Sequence, residues 1–103
     1  MPRIKFMTKE IEKRLPPLGA TEGQENPLVI AKWFTPDAHW TWYAIEYDPE
    51  DRLFFGYVVG DEAELGYFSR DELERLRGPW GLPIERDKWF RPQPLHEVVE
   101  KRP

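Results

Sequence analysis

The sequence predicts one α+β domain built on an antiparallel sheet, and three observations carry that prediction. Four segments rich in β-branched and aromatic residues follow one another: Leu28–Phe34, Trp40–Tyr47, Leu53–Val59 and Glu64–Phe68. Their connectors, at Thr35–His39, Asp48–Asp51 and Gly60–Asp61, are too short for parallel crossovers, so the four strands form an antiparallel meander. Helical spacing occurs only before and after this block, which places an N-terminal helix and one or two short C-terminal helices around the sheet. At 103 residues the chain has room for a single domain, 1–103. A chain of that size buries roughly two-thirds of its unfolded surface.

Each element has a local cause. Thr8 is the N-cap of a helix over Lys9 to Leu15, with Ile4, Met7, Ile11 and Leu15 on one face, and Pro16 and Pro17 stop it. Gly19 to Pro27 reads as a loop. Ser69 and Glu72 form a capping box for a second helix through Arg77, with Leu73 and Leu76 on one side, ended by Gly78 and Pro79. Leu95 to Lys101 adds a last helical turn or two. Trp80 to Pro94 is Pro-rich and expected to be irregular, with Trp80, Trp89 and Phe90 packed.

Parity sets the expected register. If Tyr47 faces Arg52 across the Asp48–Asp51 turn, then Ala44 faces Phe55, Tyr43 faces Gly56 and Trp42 faces Tyr57. One face then carries Ile30, Lys32, Phe34, Trp40, Trp42, Ala44, Phe55, Tyr57 and Phe68. The other carries Val29, Ala31, Trp33, Thr41, Tyr43, Ile45, Phe54, Val58, Leu65 and Tyr67. A slip of one residue exchanges the sets. Both faces are apolar, so each needs cover or serves as a binding surface. The helices are expected on one face, with the Trp80–Pro94 loop reaching part of the other.

Composition bounds the chemistry. The chain has no cysteine, which removes disulfides, thiolate metal sites and a cysteine nucleophile and fits a reducing compartment. No apolar run approaches the roughly 20 residues of a membrane span, and Met1 to Glu10 lacks the apolar stretch of a secretory signal. A cytoplasmic, soluble protein without membrane contact is expected. Few Asn and Gln, frequent Pro and many charges lean toward a thermophilic source. Residues 36–69 hold eight acids against Arg52 alone, a local balance of −7, while the flanking thirds are mildly basic. Such an acidic middle argues against a general phosphate-binding surface and suits a solvated sheet edge that resists strand addition.

Catalytic groups are sparse. Ser69 is the one serine and already a helix cap, and the histidines His39 and His96 lie far apart in sequence, so a Ser–His site is poorly supported. Asp37 with His39 in one turn, and the carboxylates of Glu46, Asp48, Glu50 and Asp51 at the next, could serve a divalent ion, but they match no loop spacing such as the EF-hand pattern. Asp48-Pro49-Glu50-Asp51 is also what a type I turn favours. No metal site or cofactor is assigned on these grounds. Two sets of residues stand out as candidates for binding. Trp40, Trp42, Phe55 and Tyr57, placed on one face by the parity argument, resemble stacking platforms for single strands, although aromatic stripes at strand spacing are more often core. Glu85-Arg86-Asp87 lies between apolar anchors; Arg86 either holds a carboxylate or phosphate bidentately or clamps an acid of the −7 segment, and the clamp is favoured because that segment lacks counter-charge.

The chain also resembles a known family. The residues that carry the resemblance are Leu15-Pro16, Ala20-Thr21-Glu22, Lys32-Trp33-Phe34-Thr35-Pro36, Trp40-Thr41-Trp42-Tyr43 and Asp51 through Val58 (DRLFFGYV), followed by Glu64 through Phe68 (ELGYF), Glu72-Leu73 and Gly81 through Asp87 (GLPIERD). Together they are similar to a small bacterial family of uncharacterised proteins, a domain of unknown function frequent on plasmids and integrative conjugative elements. The resemblance covers about Thr8 to Leu95 and brings no catalytic or binding residue with it. It implies an accessory role on mobile DNA.

These readings converge on a non-enzymatic binding or adaptor module that acts through a protein partner in nucleic-acid processing, by an aromatic sheet face or the Glu85–Asp87 loop. The −7 segment would also suit a mimic of nucleic-acid charge. Direct binding of single-stranded nucleic acid through the four aromatics is the alternative, disfavoured by the acidic charge. A divalent-metal-dependent hydrolase is third.

Overall fold

The computed structural model describes residues 4–101. Among the described residues the order is α1 (Lys9–Arg14), β1 (Leu28–Val29), β2 (Ala31–Phe34), β3 (Thr41–Asp48), β4 (Leu53–Val59), β5 (Ala63–Ser69), α2 (Arg70–Arg75), β6 (Glu85–Arg86), β7 (Gln93–Pro94) and α3 (Leu95–Lys101). The architecture is α+β, with a fully antiparallel five-stranded sheet in the order β5-β4-β3-β2-β6. The central meander is present as expected, and a fifth strand extends it. Glu85 and Arg86, inside the stretch expected to be irregular, pair with Phe34 and Trp33. The expected strand Leu28–Phe34 is broken at Ile30: β1 leaves the main sheet and pairs with β7 instead.

Local signals set the helices. The Thr8 hydroxyl accepts from Ile11 N–H at 3.1 Å and the Ser69 hydroxyl from Glu72 N–H at 3.2 Å, so both predicted caps form. α2 stops at Arg75, before the expected Arg77, because Leu76 is already extended. α3 is seated by Asn26, whose side-chain oxygen accepts from His96 N–H at 2.8 Å, and by Pro27, whose carbonyl accepts from Leu95 N–H at 2.9 Å.

The register departs from the parity argument in three places. β2 meets β3 one residue off, with Trp33 opposite Trp42. β3 meets β4 two residues off beside the turn, which leaves the faces unchanged, and a bulge then shifts the rest of that pair by one, which exchanges them. Beside the turn, Asp48 faces Leu53, Tyr47 faces Phe54 and Glu46 faces Phe55. Beyond a β-bulge at Ile45, Ala44 faces Gly56, Tyr43 faces Tyr57 and Trp42 faces Val58. An extra residue in one strand of a pair exchanges the faces of everything past it. One face therefore carries Ala31, Trp33, Trp42, Ala44, Tyr47, Phe54, Val58 and Phe68, and the other carries Tyr43, Ile45, Phe55, Tyr57, Leu65 and Tyr67.

Both faces receive cover, from different elements. On the first, Met7, Ile11 and Leu15 of the N-terminal segment, Leu73 of α2 and Ile84 close over the sheet. The fully buried Trp33 anchors that side. Its indole N–H donates to the Phe6 carbonyl at 2.9 Å, and its ring stacks on Phe6 and tilts against Phe54, both at 5.1 Å. On the second face, Val29, Val98 and Leu95 pack over Tyr43, Ile45 and Tyr57. Helices thus cover both faces rather than one. Phe90 packs on Tyr43 at 6.0 Å as expected, whereas Trp80 and Trp89, expected to pack, are 84% and 79% exposed.

The bulge also turns Glu46 inward. It is 3% exposed, and its carboxylate accepts from Gly19 N–H at 2.8 Å, from Thr21 N–H at 2.9 Å and from the Thr21 hydroxyl. Burial alone would raise its pKa, but the Thr21 hydroxyl and then the two backbone N–H groups outweigh it and hold the carboxyl below its ordinary value. A depressed folded-state pKa gives stability that is fully present above the unfolded value and lost as pH falls through the folded one. Thermal melts at decreasing pH should therefore show a loss of stability beginning near the ordinary glutamate value of about 4.3, and Glu46→Gln should flatten that part of the curve. At neutral pH the same variant should cost about 1–3 kcal/mol, because it leaves buried donors poorly matched. Gly56 gives a second expectation. A Cβ there would lie 1.8 Å from the Tyr43 carbonyl oxygen, a backbone atom that cannot step aside. Gly56→Ala should lower urea-unfolding stability by about 3 kcal/mol, and an unchanged midpoint would mean that the two strands separate there at little cost.

Candidate functional site

The four aromatics expected to form a platform are divided between the faces. Trp42 is buried on the side of α2 and stacks with Trp40 at 6.2 Å. Tyr57 is buried on the opposite side against Tyr43, and Phe55, on that same side, meets Tyr67 at 5.2 Å. The Ile45 bulge is the physical reason: it shifts Trp42 from the face of Phe55, Tyr57 and Val59 to that of Phe54 and Val58.

What Trp40 and Trp42 form instead is one wall of an apolar groove of about 400 Å³, closed by Leu76, Pro79 and Ile84. Sequence builds this wall in three steps. The Thr35 hydroxyl accepts from Trp40 N–H at 2.9 Å, and Thr35 N–H donates to the Trp40 carbonyl at 3.0 Å, which fixes the turn before β3. The Trp40 ring lies against Gly60, where a Cβ would come within 2.4 Å of it, and its other neighbour is the Trp42 ring. Finally, one oxygen of Asp37 accepts from Trp80 N–H at 2.8 Å and from Leu82 N–H at 3.4 Å, tying the 78–82 loop across the end of the groove. Its other oxygen is buried with no hydrogen-bond partner among the described residues.

The groove opens among exposed apolar side chains. Trp40 is 39% exposed, Leu76 and Leu82 are exposed as well, and Trp80 follows Pro79 directly. Arg77 also lines it, but its guanidinium is folded back onto the Glu74 and Leu76 carbonyls at 3.3 and 2.8 Å. Glu64 continues the cross-strand row of Trp42 and Val58 and is exposed, and Asp61 bridges to His39 at 3.0 Å in the adjoining turns. The approach to the groove from the sheet is therefore acidic.

The Glu85–Asp87 segment is separate from this groove's aromatic wall. Glu85 and Arg86 are strand residues, and Arg86 does not clamp an acid of residues 36–69. Its Nε donates to the Lys5 carbonyl at 2.8 Å, and among the described residues it makes no ion pair. Asp87 faces Lys32 at 3.7 Å and accepts from Trp89 N–H at 2.9 Å. Three of the eight acids expected to need a clamp are held by backbone N–H groups: Glu46 and Asp37 as described, and Asp48 through Glu50 N–H at 3.1 Å, the turn role foreseen for it. Arg52 of the acidic segment pairs outward, with Asp71 at 2.6 Å and Glu74 at 2.9 Å on α2. Hydrogen bonding to Asp71 raises its pKa above the ordinary arginine value. Among the described residues no three His, Asp or Glu side chains gather as a metal site would require.

The groove residues Leu76, Pro79 and Ile84 were not singled out from sequence as a site, and Asp37 was read only as a metal-ligand candidate rather than as a loop tether. The signal was present in the Gly-Pro-Trp-Gly-Leu-Pro run at 78–83, which puts apolar side chains into a stretch that cannot form regular structure.

Among the described residues no helix is long and apolar enough to cross a membrane. No curated protein and no solved structure matches the chain. A family model, described as "Protein of unknown function (DUF2958)", matches residues 6–100. With nearly the whole chain inside that match, from Phe6 beside Trp33 to Glu100 in α3, the protein belongs to the DUF2958 family.

Proposed function

We propose that this protein is a binding module that docks a segment of a protein partner in the Trp40–Trp42 groove. The observation that carries the reading is a concave apolar wall whose tryptophan rings are already held in place, surrounded by exposed Leu76, Trp80 and Leu82. Fixed aromatic walls bind without a large ordering cost, and buried aromatic anchors dominate protein interfaces. Asp61, Glu62 and Glu64 near the groove favour a segment with a bulky apolar residue flanked by Lys or Arg. A partner in nucleic-acid processing, as the mobile-DNA setting of the family resemblance implies, would supply such segments.

The alternative, direct binding of single strands, loses its four-ring platform, since Trp40 and Trp42 lie on one face and Phe55 and Tyr57 on the other. The hydrolase reading gains no carboxylate cluster among the described residues.

Selection from random dodecamer peptides tests the docking reading. An enriched consensus of one apolar or aromatic anchor with basic neighbours is expected, and binding of the selected peptides should fall about tenfold or more in Trp40→Ala and in Leu76→Asp. Enrichment that is equal on wild type and Leu76→Asp would remove the groove from consideration, provided both proteins melt at similar temperatures. Tryptophan quenching by a single-stranded oligonucleotide at low salt, abolished at high salt, would instead favour the alternative.

A further inference from the structure

A second cavity lies on the other side of β6, between α1 and the 86–92 segment, with a volume of about 380 Å³. It is lined by four cations, Arg14, Arg86, Lys88 and Arg91, in a protein whose net charge is −4. Its two acids are already engaged: Glu10 by Arg14 at 3.6 Å, and Asp87 by Lys32 and by Trp89 N–H. Arg86, Lys88 and Arg91 have no ion pair among the described residues, which leaves three uncompensated positive charges around one concavity. Ile11 and Phe90 supply apolar lining beside them.

The geometry of Arg86 is what distinguishes this site from a loose basic patch. Its Nε is fixed on the Lys5 carbonyl at 2.8 Å, and its backbone is held in β6 opposite Trp33. The terminal nitrogens have no protein partner among the described residues. A guanidinium oriented in this way presents its fork for bidentate contact with an oxyanion. Lys88 sits over the Trp89 ring at 5.0 Å, so its ammonium is likewise placed without an anionic partner.

We propose that this cavity binds a small phosphomonoester of about mononucleotide size. Three unpaired cations favour a dianion over a monocarboxylate, and a phosphomonoester carries about −1.5 to −2 at neutral pH. The volume lies within the range of sites for small organic ligands, roughly 300–1,000 Å³. The Ile11 and Phe90 side chains give the ligand's uncharged body a surface to rest on. This site is independent of the Trp40–Trp42 groove, and neither proposal depends on the other.

Amide chemical shifts followed by NMR during titration with adenosine 5′-monophosphate test it, with adenosine, inorganic phosphate and benzoate as comparison ligands. Saturable shifts at residues 86–91 and Ile11 are expected with the nucleotide, weaker ones with phosphate, and none with adenosine or benzoate. Raised salt should weaken the nucleotide's binding. Arg91→Gln, at an exposed side chain that makes no hydrogen bond or ion pair among the described residues, should weaken binding about tenfold while the melting temperature stays unchanged. Arg86→Lys keeps the charge and loses the fork, and should weaken it comparably. Absence of saturable shifts at millimolar nucleotide, or affinity unaltered in both variants, would overturn the site. Equal binding of benzoate would overturn the phosphomonoester assignment.

Discussion

The β-bulge at Ile45 is the constraint on which the rest of the structure depends. Without it β3 would pair with β4 in a single register, and Trp42, of opposite parity to Tyr47, would lie on the other face from Tyr47 and Phe54. With it, the two halves of β3 present different parities to the same partner strand. Trp42 and Ala44 join Trp33 and Phe54 on one side, while Tyr43 and Ile45 join Tyr57 on the other. The same distortion points Glu46 at the backbone of Gly19 and Thr21, so the loop after α1 is hydrogen-bonded to the strand at the place where the ladder is irregular. Gly56, opposite Ala44, is the complement on β4, since the Tyr43 carbonyl fills the space a side chain would take.

The electrostatics follow from backbone geometry more than from ion pairs. Three carboxylates of the acidic middle are held by amide donors: Glu46 by Gly19 and Thr21, Asp37 by Trp80 and Leu82, and Asp48 by Glu50. A carboxylate that accepts several N–H groups needs no cation beside it. That frees the basic residues of the C-terminal third for other contacts. Arg70 joins Glu12 at 3.6 Å and Glu74 at 3.7 Å and donates to the Tyr47 hydroxyl at 3.2 Å, linking α1, α2 and β3. Arg52 holds the β3–β4 turn to α2 and sits at φ +55°, a left-handed conformation that a non-glycine residue adopts at some cost. Arg86, by contrast, is spent on one backbone carbonyl and keeps its fork.

Two apolar faces on a short chain require cover from both ends of the sequence. The N-terminal segment with α2 closes one side, and α3, positioned by the small β1–β7 sheet, closes part of the other. That cover is incomplete at several places, two of them on the sheet edge and at the groove. Leu65 and Tyr67 on edge strand β5 stay open, Tyr67 at 66% exposure, and the 78–82 loop leaves Trp80 outside the groove it helps to form. Large exposed apolar groups in a protein with ample charged residues are where contacts with other molecules concentrate.

The family resemblance was legible in continuous motifs, and the DUF2958 match extends it to residues 6–100. The α+β class, the antiparallel meander, both capped helices and the turn role of Asp48 were readable because each is fixed within a few residues: a hydroxyl three positions before an N–H, a connector too short to cross, a Pro after an Asp. The β6 strand was not readable, because Glu85 and Arg86 have no strand-like composition and extend only because Trp33 and Phe34 offer them a free edge. Nor was the partition of Trp40, Trp42, Phe55 and Tyr57. Parity along a strand is local, but a bulge depends on how two strands twist against each other and on what, here Gly19 and Thr21, receives the displaced side chain. Sequence determined which segments form the sheet and where the helices begin. Tertiary packing decided which aromatics meet, because a one-residue irregularity reverses a face without leaving any trace in composition or spacing.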